Sequence, residues 1–99
     1  MIVAGEESGT VRVRAGEVFA VELPVNPSTG YRWEARLPPG LEVVATAIAP
    51  LPADGMVGRP TVQRWQLLAA SGAAQLAFEL LPPGGEAPAR VVLVAVVAV

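Results

Sequence analysis

The sequence contains no cysteine, no histidine and no lysine, and only one aspartate, Asp54. Without cysteine there is no disulfide framework, no thiolate nucleophile and no thiolate metal site. Without histidine the usual general base and imidazole ligand are missing too. Ser8, Ser28 and Ser71 have no evident activating partner, Asp54 is isolated, and the glutamates fall on exposed strand faces or in turns. The reading is therefore not an enzyme, with no metal and no cofactor. The seven arginines are scattered and the net charge is −2, so there is no clustered basic face of the kind nucleic-acid binding needs.

Long apolar runs are also scarce. The longest, Val91–Val99, is nine residues, well short of the roughly 20 that a membrane-spanning helix requires. It reads as a strand buried on both faces, with an apolar edge that drives dimerisation as the sharper alternative; a monomer is expected. Met1-Ile2-Val3-Ala4 is followed at once by Gly5-Glu6-Glu7, with no basic start, so no secretory signal is present and the location reads as cytoplasmic unless a leader has been removed. What is abundant is hydrophobic residues, 53% of the 99, with ten Pro and ten Gly that follow no period. One globular domain spanning 1–99 is expected, its loops punctuated by Pro and Gly.

Alternation is the dominant pattern. Thr10–Arg14 alternates strictly; Glu17–Leu23 places Phe19, Val21 and Leu23 on one face. In Tyr31–Leu37, Tyr31, Trp33, Ala35 and Leu37 face one way and Arg32, Glu34 and Arg36 the other. Leu41–Ala49 is an apolar strand. Thr61–Ala70 aligns Gln63, Trp65, Leu67 and Ala69; Ala73–Leu81 aligns Leu76, Phe78 and Leu80. With Arg90–Val99 this predicts about seven strands and no helix, an all-β, immunoglobulin-like antiparallel sandwich. Phe19, Trp33, Trp65 and Phe78 are its expected core. Alternate connections of a sandwich share an end, which groups the loops at 24–30, 50–60 and 82–88 at one end and the tight turns at 15–16, 38–40 and 71–72 at the other. Binding belongs to the long-loop end.

One loop stands out. In Asn26-Pro27-Ser28-Thr29-Gly30, Pro27 fixes its own φ and pushes Asn26 into an extended conformation, Ser28 and Thr29 can bond nearby backbone, and Gly30 tolerates φ > 0. A stiff polar loop without regular structure is expected, with Tyr31 buttressing it from below, hydroxyl near solvent, and its ring on the side of Trp33.

The run from Val11 to Trp33, Val-Arg-Val-Arg-Ala-Gly-Glu-Val-Phe-Ala-Val-Glu-Leu-Pro-Val-Asn-Pro-Ser-Thr-Gly-Tyr-Arg-Trp, resembles the chagasin family of inhibitors of papain-like cysteine peptidases. That family has Gly-Glu before its second strand, then Leu-Pro, then Asn-Pro-Thr-Thr-Gly-aromatic-x-Trp; Ser28 replaces the first Thr and keeps the hydroxyl. The resemblance implies a reversible, competitive inhibitor whose three loops wedge into the active-site cleft. Asn26 to Gly30, with Tyr31 beside them, would lie over the catalytic cysteine and histidine. The glycine-rich Gly55-Met56-Val57-Gly58-Arg59-Pro60 would be one arm and Pro82-Pro83-Gly84-Gly85 the other. Family members build the latter on Arg-Pro-Trp, and here only the central proline survives. The alternative is a non-inhibitory immunoglobulin-like interaction module that has lost that loop; losing an aromatic anchor costs about 2 kcal/mol, roughly thirtyfold in affinity.

Overall fold

The computed structural model of the chain describes residues 1–6, 9–50, 61–85 and 87–99. Eight strands are found among them: β1 (Val3–Ala4), β2 (Thr10–Val13), β3 (Phe19–Val25), β4 (Arg32–Arg36), β5 (Leu41–Pro50), β6 (Thr61–Ala69), β7 (Gly72–Leu81) and β8 (Arg90–Ala98). They form two four-stranded sheets, ordered β1-β3-β6-β5 and β2-β8-β7-β4. This is the expected all-β sandwich, with two differences of detail. β1 is an added strand, too short to show any period. It and β2 join their sheets in parallel, β1 on β3 and β2 on β8, while the inner pairings are antiparallel.

The inward faces are those that alternation selects. Phe19, Val21 and Leu23 pair with Leu67, Trp65 and Gln63. Opposite them, Phe78 and Leu76 pair with Val92 and Val94, and Trp33 with Leu80. All four expected core aromatics, Phe19, Trp33, Trp65 and Phe78, are buried in one cluster. Trp65 meets Phe78 across the sandwich with ring centroids 4.7 Å apart, a tilted contact that ties the sheets. On the outer face Glu34 lies directly opposite Glu79, and Arg36 forms ion pairs with the two carboxylates at 3.6 and 3.3 Å, relieving the like-charge pair.

Two expectations need correction. β8 is buried on one face only: Val92, Val94 and Val96 point inward, while Val91 and Leu93 are exposed. Nor is it an edge, since it lies between β2 and β7. The outward face of a two-layer sandwich has no third layer to cover it, and apolar residues there give the same run of letters as full burial. β5, by contrast, is an edge strand, and its Val43, Val44 and Ile48 are all exposed.

The ends of the sandwich follow the expected grouping. At one end the Gly16 N–H donates to Ala69 O and the Ala70 N–H to Gly40 O, gathering the tight turns. At the other, Val25 and Pro50 both pair with Thr61, and Arg32 pairs with Leu81. The strand ends that flank 26–31, 51–60 and 82–89 are therefore together.

Phe78→Ala, at a side chain with no exposed surface, should cost about 3–5 kcal/mol of stability in a denaturant titration. A loss below about 1 kcal/mol would contradict the tied core.

Candidate functional site

The tip is organised by Asn26. Its side-chain Oδ1 accepts from the Ser28 N–H at 3.2 Å and from the Ser28 hydroxyl at 2.6 Å. Its main-chain O accepts from the Thr29 N–H at 3.2 Å and from the Thr29 hydroxyl at 2.7 Å. The Thr29 Oγ1 in turn accepts from the Tyr31 N–H at 3.4 Å. Residues Pro27–Thr29 thus form one turn of 3₁₀ helix capped by Asn26, where regular structure was not expected. Pro27 fits the first position of such a turn, because the N–H it lacks would have had no partner in the turn. Gly30 then reverses the chain at φ 80°, a conformation that a side chain opposes. Asn26, Ser28, Thr29 and Gly30 are all exposed.

Below the tip the two stems are bolted together. Trp33 is buried, and its Nε1–H donates to Pro24 O at 2.8 Å. Gln63 reaches across from the other sheet: its Oε1 accepts from the Trp33 N–H at 2.9 Å and its Nε2–H donates to Trp33 O at 2.8 Å. β4 is the edge of its sheet, so Gln63 supplies the donor and acceptor that a neighbouring strand would otherwise provide. The Arg90 guanidinium sits 5.9 Å from the centre of the Trp33 ring and pairs with Glu6 at 2.6 Å. Tyr31 stands just before β4 and is 37% exposed, while Trp33 is buried. Gln63 and Arg90 did not stand out in the sequence as supports of the loop. Gln63 left a signal, as a polar residue sharing a face with Trp65, Leu67 and Ala69 in Thr61–Ala70.

Residues 82–85 close against the tip. The Gly85 N–H donates to Pro82 O at 3.2 Å and the Ala89 N–H to Leu80 O at 2.8 Å. Gly84 has φ 96°, so the position where the family's tryptophan would fall disfavours any side chain. Pro83 lies so near Gly30 that a Cβ built on Gly30 would stand 2.8 Å from Pro83 Cγ. Asn26–Tyr31 and Pro82–Gly85 are thereby brought together, while Gly55 to Pro60, including Arg59, lie outside the described residues. Neither Asn26–Tyr31 nor Pro82–Gly85 contains a charged residue, so what this surface offers a partner is shape, hydroxyls and backbone.

A sequence model described as Chagasin family peptidase inhibitor I42 matches residues 12–96. No curated protein sequence matches the chain. Among solved structures it is similar to the cysteine protease inhibitor EhICP2 from Entamoeba histolytica. The TM-score is 0.81 at 26% identity, over 99% of this chain and 95% of that one. It is also similar to the solution structure of amebosin, with a TM-score of 0.76 at 19% identity over 99% and 97% of the two chains, a likeness of fold.

Gln63→Leu removes both bonds to Trp33 and strands a part-buried N–H and C=O. It should lower stability by about 2 kcal/mol, seen as a lower denaturant midpoint. An unchanged midpoint would mean that water replaces the clamp.

Proposed function

Because this chain belongs to the chagasin family of peptidase inhibitors, we propose that it is a reversible, competitive inhibitor of papain-like cysteine peptidases, acting as a monomer through the loop end of its sandwich. Asn26 to Gly30 enter the active-site cleft over the catalytic cysteine and histidine. Gly55 to Pro60 and Pro82 to Gly85 flank them.

The observation that carries this reading is the order already present in the tip. The Asn26 and Thr29 bonds hold the loop in one shape before any partner arrives, so little conformational entropy is lost on docking. Occlusion then requires no chemistry from the inhibitor, consistent with a chain that has neither His nor Cys. Pro27 adds a further obstacle to cleavage, since it offers no N–H to a peptidase that binds substrates as extended backbone.

A second reading, a non-inhibitory interaction module, is favoured by the loop at 82–85, which lacks the family's Arg and Trp and whose Gly84 backbone disfavours a side chain. Kinetics separate the two. Titrating papain with the purified chain should give saturable inhibition that added substrate relieves. Thr29→Ala breaks the bonds to Asn26 O and Tyr31 N within an exposed loop. It should weaken inhibition about tenfold with the thermal midpoint close to wild type. No inhibition by the wild type would favour the module, and parallel loss of inhibition and midpoint would make the loop a structural connection only.

A further inference from the structure

Three ring carbons of Pro83 face the spot where Gly30 lacks a side chain: an ideal Cβ there would stand 2.8, 3.5 and 3.9 Å from Pro83 Cγ, Cβ and Cδ. Gly30 is thus required twice, once for its φ of 80° and once for this approach. Among the described residues, the tip's own hydrogen bonds run among Asn26, Ser28, Thr29 and Tyr31. They set its shape, and leave its C-terminal side to be held by contact. Pro83 is suited to that task. Its ring is rigid and loses little rotamer entropy on packing, and its own loop is closed by the Gly85-to-Pro82 and Ala89-to-Leu80 bonds.

We propose that Pro83 is a positioning residue: it braces the 26–30 tip through Gly30, so that the 82–85 loop contributes to binding by holding the tip in place. The brace explains how a loop with neither Arg nor Trp still serves the site. It rests on the inhibitor reading for its functional consequence, but it is testable in the free protein.

The experiment compares wild type, Pro83→Ala, Gly30→Ala and the double variant. Papain inhibition and amide hydrogen exchange at Thr29 and Tyr31 are the readouts, with the thermal midpoint as a folding check. Pro83→Ala should weaken inhibition about tenfold and speed exchange at both amides, with the midpoint near wild type. Gly30→Ala alone should be worse, because strain at positive φ and collision with the ring add together. In the double variant the ring is gone and the strain remains, so the cycle cancels the strain and isolates the contact. It should inhibit at least about threefold better than the product of the single effects predicts. Strictly multiplicative effects, or wild-type exchange in Pro83→Ala, would overturn the brace. If the wild type leaves papain untouched while Pro83→Ala still frees the two amides, the brace stands and the inhibitor reading fails.

Discussion

The structure depends on how Trp33 is held. Its indole N–H bonds the end of β3, its main chain is clamped by Gln63 from β6, and Arg90 covers its ring. The Pro24 and Gln63 bonds join the two sheets where the chain crosses from one to the other. The 26–31 segment therefore springs from two stems whose separation is fixed by part-buried hydrogen bonds, which are costly to leave unmade. Without that anchor a six-residue crossover between sheets would have many conformations; with it, a single capped turn spans the gap.

The tip then needs few further interactions. Asn26 and Thr29 close it internally, and Pro27 and Gly30 restrict it by covalent geometry and by the demand for positive φ. Rigidity here serves binding more than stability. An exposed loop of hydroxyls and backbone gains little per contact, so the ordering cost avoided weighs heavily against the contacts made. With no charge in Asn26–Tyr31 or Pro82–Gly85, affinity for a peptidase cleft would rest on shape and hydrogen bonding. The brace of Pro83 on Gly30 extends the same economy to a second loop.

Much of this was legible in the sequence. Strict alternation at Thr10–Arg14 and Tyr31–Leu37 placed the strands, and the pairing of Phe19, Val21 and Leu23 with Leu67, Trp65 and Gln63 follows the faces it selects. The Asn-Pro-Ser-Thr-Gly loop carried the family likeness. What could not be read has physical causes. Two residues of β1 show no period, and the parallel docking of β2 on β8 joins segments far apart in the chain. The run at Val91–Val99 is the same string of letters whether one face or two are buried. Gln63 aligned with Trp65, Leu67 and Ala69 in the sequence, and its role follows only from the edge position of β4. Gly84 reads as a turn residue, and only its φ of 96° shows that a side chain is disfavoured there.

The central claim is that the ordered tip occupies the cleft itself. Calorimetric binding of the chain to open papain, and to papain whose active-site cysteine carries a covalent peptidyl blocker filling the cleft, tests it most directly. The account predicts stoichiometric binding to the open enzyme and none to the blocked one. Equal binding to both would place the contact elsewhere on the peptidase and contradict it.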